Sequence, residues 1–302
     1  MQLSGAIVPM ATPITDRSRE VDVETLGTFT DSLVDAGVHG LFPGSSIGEF
    51  PSLTRDQNRV VVETVADAAA DRTTVLAGCC DTNHENVVEH IDAAADCGAD
   101  AAVVVTPYYL RTTQAGLEQF FAQIADRAEL PILLYNIPAL TGNRLAVETV
   151  QRLADHPRIV GLKDTSDDLT YHHRIIAETP AEFLVFQGST QLAAASLDLG
   201  ADGLIAGPGN FFPGAMRRLY QAHDENERGE VSDLMREVVA PLIGAMEDVP
   251  TATAIKHLIG YGGLDVGDPL SPLPPLTDTE RNRLERTFDG VAERVEAPVP
   301  GR

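Results

Sequence analysis

The chain is short of cysteine, lysine and long apolar runs, and each shortage removes a class of explanation. Three cysteines in 302 residues, Cys79, Cys80 and Cys97, cannot build a disulfide framework. No Cys-x-x-Cys pair suggests zinc. Adjacent Cys79 and Cys80 would point to opposite faces of a strand and read as small core residues. No apolar run approaches the roughly 18 residues of a membrane helix, and no signal-peptide pattern is present. The expectation is a soluble protein of a reducing, cytoplasmic compartment. His84 and His90 are poorly spaced for shared ligation. His172 and His173 are helix neighbours that do not face one site, so no metal site is expected. The glycines form no G-x-G-x-x-G fingerprint, which argues against a dinucleotide cofactor.

Lysine is the sharpest shortage. Of 22 basic residues only Lys163 and Lys256 are lysine; the rest are arginine. Acidic residues number 45, and the net charge of −23 excludes nucleic acid and anionic membranes as natural partners. An acidic, lysine-poor surface predicts a halophilic protein, whose self-repulsion is screened by molar salt. A chain that avoids lysine elsewhere keeps it where an amine is needed.

What is present is a repeating alternation. Short apolar runs at Gly5–Met10, Gly40–Pro43, Thr74–Ala77, Ala101–Val105, Ile132–Tyr135, Ile159–Lys163, Phe183–Phe186 and Gly203–Ala206 read as buried parallel strands. Helical patterns at Val23–Ala36, Arg55–Ala70, Glu85–Cys97, Ala115–Arg127, Ala146–Asp155, Thr170–Glu178, Gln191–Leu199 and Pro213–Asn226 follow them in turn. Eight such units predict a (β/α)8 TIM barrel over residues 1–228. Residues 229–302 predict a C-terminal helical extension, with helices at Val231–Met246, Thr251–Ile259 and Asp278–Val295. A proline-rich loop, Leu264–Pro275, and a disordered tail, Ala297–Arg302, complete it.

In such barrels the chemistry sits at the C-terminal ends of the strands. Lys163 ends the apolar run Ile159–Leu162 and should emerge at the barrel mouth. Burying an ammonium is costly and favours the free amine, which forms Schiff bases with carbonyl substrates. The plain alternative is a snorkelling lysine or a Lys163–Asp164 contact, although strand neighbours point opposite ways. Tyr135 ends the preceding strand, and its phenol could shuttle the protons of imine formation and carbon–carbon cleavage. The alternative is a core aromatic. Ser46 could extend the relay, and the backbone amides of the Gly44–Gly48 turn could hold a carboxylate.

These residues lie in motifs that resemble a known family. The turn Ser45–Glu49, Thr106-Pro107-Tyr108-Tyr109, Tyr135-Asn136-Ile137-Pro138-Ala139-Leu140-Thr141-Gly142 and Gly161-Leu162-Lys163-Asp164-Thr165 occur in order. Together they are similar to the dihydrodipicolinate synthase / N-acetylneuraminate lyase superfamily of class I pyruvate-dependent aldolases. The stretch around Lys256 resembles that family's helical extension. The resemblance implies a Schiff base between Lys163 and a 2-keto acid such as pyruvate, and no other cofactor. It also implies Tyr135 as proton shuttle, a homotetramer, and Tyr109 reaching a neighbouring subunit's site.

Departures from the family pattern bear on the substrate. Ser45 replaces a glycine and Ile47 a hydroxyl residue, so carboxylate binding leans on backbone amides. The synthase branch carries an arginine for the aldehyde's carboxylate where this chain has Leu140; Arg144 lies four residues on. The strand-end residues after Lys163 and Phe186 look most like archaeal 2-keto-3-deoxygluconate aldolases. That likeness implies Thr165 and Gly188 on the sugar-acid chain, Ser189 close by, and Arg111 as the cation for a phosphorylated substrate. The expected partners are a small keto acid and an aldehyde. The expected reaction is cleavage of 2-keto-3-deoxygluconate or its 6-phosphate. The alternatives are dihydrodipicolinate synthesis from pyruvate and aspartate semialdehyde, and a silent keto-acid sensor.

Overall fold

The computed structural model describes residues 3–15 and 19–295. Eight strands alternate with helices: β1 (Gly5–Pro9), β2 (Gly40–Phe42), β3 (Thr74–Gly78), β4 (Ala101–Val105), β5 (Ile132–Asn136), β6 (Ile159–Asp164), β7 (Leu184–Gln187) and β8 (Gly203–Ile205). All pair in parallel, and β8 returns to β1 to close the barrel. The helices that follow are α1 (Val23–Asp35), α2 (Arg55–Ala69), α3 (His84–Asp96), α4 (Gln114–Ala125), α5 (Pro138–Thr141), α6 (Val147–Ala154), α7 (Leu169–Glu178), α8 (Ala193–Asp198) and α9 (Pro213–Asp224). The expected (β/α)8 TIM barrel is the observed architecture. The short α5 is an addition, started by Pro138, whose missing N–H costs nothing in a first helical turn.

Polar caps set the helix starts. Thr54 forms a reciprocal capping box with Gln57, and Asp22, Asn83, Thr113 and Asp168 each accept a first-turn N–H. The alternation of side chains along each strand separates two cores. Ile7, Phe42, Leu76, Val103, Leu133, Tyr135 and Phe186 fill the barrel interior. Val8, Leu41, Ala77, Val104, Leu134 and Leu162 pack outward against the helices. Cys79 and Cys80 fall on different sides of this division.

One irregularity matters for the site. Ile132 pairs with Ile159, but Leu133 pairs with Gly161, so β6 carries one extra residue, Val160. Because of this bulge Tyr135 stands level with Lys163 rather than with Leu162.

The C-terminal layer begins one turn earlier than the periodicity indicates, at α10 (Arg228–Leu234). A widened turn over Met235–Val239 leads into α11 (Ala240–Met246). Pro241 lacks the N–H that a regular helix needs there, which explains the widening. Next come α12 (Thr251–Gly262) and α13 (Asp278–Ala292), joined by an irregular loop. Phe288 of α13 meets Phe211, Phe212 and Tyr261 in an aromatic cluster that seals this layer to the barrel. The tail Ala297–Arg302 lies outside the described residues. Among those described, no helix is long and apolar enough to cross a membrane.

Candidate active site

A cavity of about 610 Å³ opens at the C-terminal ends of the strands. Lys163 lies at its base and is 4% exposed. Its Nζ is 4.0 Å from the centre of the Tyr135 ring and 5.0 Å from that of Phe42. Aromatic faces stabilise the ammonium but supply no counter-charge. Lys256, in contrast, is ion-paired: its Nζ is 2.7 Å from Glu49 Oε1. Burial holds the Lys256 pKa below the usual lysine value, and Glu49 works against that shift. Of the two lysines, only Lys163 lines the cavity.

The next residue on each strand turns outward, as strand alternation requires. Asn136 Nδ2 donates to Asp164 Oδ1 at 3.0 Å. Asp164 Oδ1 also accepts from the Ser166 N–H, and Oδ2 accepts from Ser166 Oγ and faces His172 Nδ1 at 3.2 Å. Asn136, Asp164 and His172 are all fully buried. This clamp holds the ends of β5 and β6 together immediately behind Tyr135 and Lys163. It also excludes the Lys163–Asp164 contact considered above. Sequence reasoning missed the clamp because it discounted His172 as a ligand without asking what a buried histidine would hold.

The turn after β2 forms one wall. Ser45 Oγ accepts the Gly48 N–H at 3.1 Å, and Thr12 Oγ1 donates to the Gly48 carbonyl at 2.8 Å. The amides of Glu49 and Phe50 are bonded to the carbonyls of Ser46 and Ser45. Among the described residues no such bond takes up the amides of Ser46 and Ile47. The Ser45 hydroxyl is therefore committed to the turn, while Ser46 and Ile47 line the cavity with their amides free of backbone partners among the described residues.

Two buried hydroxyls, Thr165 Oγ1 and Ser189 Oγ, have no hydrogen-bond partner among the described residues, and both residues line the cavity. Between them runs Gly188. A Cβ there would displace Thr165 Oγ1, stand 3.0 Å from Lys163 Cε and press on the Asp164 carbonyl at 3.1 Å, so any side chain would disturb the lysine's surroundings. The far wall comes from the C-terminal layer, through Ile243, Met246, Glu247, Thr251 and Ile255. Among the described lining residues Lys163 is the sole cation, and Asp167 and Glu247 carry the acidic charge.

The expected residues that follow β4 lie outside the cavity. Tyr109, expected to reach a neighbouring subunit's site, lies outside this chain's own cavity; its backbone has φ +73° and the residue is 93% exposed on this chain. Arg111 is exposed and does not line the cavity either. Arg111 follows a strand end in sequence, which predicts a place at the mouth, but the backbone turns at Tyr109. Ser46 and Tyr135 both line the cavity, yet no hydrogen bond joins them among the described residues. Arg144 is taken up by Asp168 at 2.8 Å and lies over the Tyr171 ring, away from the cavity that Leu140 lines.

The sequence profile of the dihydrodipicolinate synthetase family matches residues 2–290. The chain belongs to that family. An uncharacterized DapA-like lyase of Halobacterium salinarum is 34% identical over 283 residues, covering 94% of this chain and 92% of the relative. A 4-hydroxy-tetrahydrodipicolinate synthase of Methanoculleus marisnigri is 34% identical over 286 residues, covering 94% and 98%. Among solved structures, YagE superposes with a TM-score of 0.91 at 30% identity, covering 96% of this chain and 99% of YagE. YagE is a prophage protein of the dihydrodipicolinic acid synthase family from E. coli K12, determined in complex with pyruvate. As a member of the dihydrodipicolinate synthetase family, the chain is an enzyme of the pyruvate-dependent carbon–carbon lyase class. That family works through a covalent Schiff base on lysine and needs no metal.

Proposed function

We propose that Lys163 carries the Schiff base and that residues 1–228 form the catalytic barrel, with 229–302 shaping its mouth. The observation behind this reading is a buried lysine over two aromatic rings, level with Tyr135, at the base of the cavity. The amine attacks the keto carbon of pyruvate, and the carbinolamine loses water to give the iminium. Tyr135, beside the forming bond, takes up and returns the protons. The amides of Ser46 and Ile47 receive the carboxylate. In the cleavage direction the C3–C4 electron pair moves into the iminium, an aldehyde leaves, and the enamine is protonated and hydrolysed to pyruvate.

Two aldehyde partners have support. Relatives from Methanoculleus marisnigri and Bacillus subtilis are named 4-hydroxy-tetrahydrodipicolinate synthases, and they favour condensation of pyruvate with aspartate semialdehyde. The cavity lining favours a neutral hydroxylated chain, as in 2-keto-3-deoxygluconate. Thr165 and Ser189 offer unpartnered hydroxyls, Leu140 stands at the rim, and no arginine is among the described lining residues. A carboxylate there would forgo a charge-assisted hydrogen bond of roughly 1.5–3 kcal/mol, about 10- to 150-fold in affinity. The same argument places the 6-phosphate behind the free sugar acid. On geometry the sugar-acid reading leads; on kinship the synthase reading leads.

The deciding experiment compares kcat/KM for both substrate sets, with borohydride trapping of pyruvate and peptide mapping. The adduct should lie on the Lys163 peptide, and Lys163→Arg should abolish both trapping and turnover. An adduct on Lys256, or full activity in Lys163→Arg, would refute the mechanism. A higher kcat/KM for aspartate semialdehyde would give the synthase reading the chain. We further propose a cytoplasmic homotetramer adapted to salt. The exposed Tyr109 and Leu110 support assembly, and the net charge supports the salt adaptation. Activity should rise from dilute buffer to molar KCl.

A further inference from the structure

We infer that Glu49 and Lys256 are positioning residues that hold the carboxylate-binding turn in register with the C-terminal wall of the cavity. The inference rests on the reading that Ser46 and Ile47 receive the pyruvate carboxylate.

Glu49 directly ends that turn, and its backbone has φ +59°, a conformation uncommon for a residue with a side chain. Something must hold it there. Its side chain is 1% exposed, and both its carboxylate oxygens are engaged from the far end of the chain. Oε1 is 2.7 Å from Lys256 Nζ, itself 1% exposed, and Oε2 accepts the Leu270 N–H at 2.6 Å. Lys256 Nζ also donates to the Asp268 carbonyl at 3.2 Å, so the loop between α12 and α13 is tied to the same pair.

The pair joins two walls of one cavity. Ile47 stands two residues before Glu49, and Ile255 one residue before Lys256; both line the cavity. Their Cδ1 atoms each lie 3.1 Å from where a Cβ on Gly207 would sit, so the two side chains close on the same glycine. A shift of α12 would carry Ile255 away and release Glu49 together.

Stability alone is a weak reason for such a pair. Two buried charges lose their hydration, and well-packed apolar residues often serve as well. A buried ion pair instead demands one mutual geometry. Here that geometry sets the angle at which the Ser46 and Ile47 amides meet the ligand.

Pyruvate-dependent inactivation by borohydride gives a half-saturating pyruvate concentration whatever the aldehyde partner. If the wild-type enzyme shows no saturable trapping, the functional reading falls and this inference with it. With trapping established, Lys256→Met should raise the half-saturating pyruvate by about 10- to 100-fold, the usual scale for small misplacements at a site. The maximal trapping rate should stay within about threefold, because the amine of Lys163 is untouched. Lys256→Arg, which can still meet Glu49, should recover most of the affinity. A folded Lys256→Met enzyme within about twofold of wild type in half-saturation would overturn the inference and leave the Schiff-base reading standing. Should Lys256→Met fail to fold, Glu49→Gln preserves shape and the Leu270 contact and carries the same comparison. Unchanged pyruvate affinity there, or failure of both variants to fold, would reduce the pair to a folding element.

Discussion

Asn136 and Asp164 are joined side chain to side chain at 3.0 Å, each one residue beyond the tyrosine and lysine that face the cavity. The contact makes the spacing of Tyr135 and Lys163 a property of the outer face of the sheet. Asn136→Ala would leave Asp164 Oδ1 short of a donor and the Leu145 N–H without its acceptor, both in buried positions. Each such loss costs roughly 1–3 kcal/mol. The melting temperature should therefore fall by about 3–10 °C, and kcat should fall as the two strand ends loosen. An unchanged Tm would show that the clamp does not hold the strands.

Tyr135→Phe keeps the ring beneath Lys163 Nζ and removes only the phenol. Turnover should drop by about 10²–10⁴, the usual weight of a positioned acid–base group. Pyruvate trapping should continue at a slower rate, since the amine remains. Steady-state kinetics within about twofold of wild type would make Tyr135 a packing residue.

Thr165→Val and Ser189→Ala test the aldehyde side of the cavity separately from the pyruvate side. If these hydroxyls bind the sugar-acid chain, each loss should weaken its binding by about 2- to 13-fold. Pyruvate trapping should be unaffected. A matching loss with pyruvate alone would place the hydroxyls on the keto acid instead.

The thiols give a prediction with a definite sign. Burial pushes the Cys80 thiol up to about 12 and raises Cys79 well above its usual range. Both stay protonated in the fold at pH 8, so a thiol reagent should modify Cys97 at most until the chain unfolds. The unfolded chain releases these protons near pH 8.5, the folded chain only at higher pH. Stability should accordingly fall as pH rises above about 8.5, by up to ~1.4 kcal/mol per pH unit for each thiol.

The barrel was legible because eight apolar runs, each bounded by Gly, Pro or Asp, leave few alternatives to closure. Lys163 was legible through scarcity and Tyr135 through its place on the preceding strand. Their exact alignment was not, because it depends on the single extra residue at Val160, which no periodicity marks. The Glu49–Lys256 pair was hidden for another reason: its members are brought together only by the packing of the last helices on the barrel mouth. Arg111 shows the opposite error. Nearness to a strand end in sequence did not survive one residue with positive φ.

The far wall of the cavity is built from residues between Ile243 and Leu273, although the ring of strands is complete at Ile205. The amine and the tyrosine beside it therefore belong to one stretch of chain, and the wall that shelters them to a later one. The segment from Ile243 to Leu273 faces the amine without holding it. Exchanging that segment between relatives would be a way to alter the choice of aldehyde while leaving the imine-forming apparatus as it is.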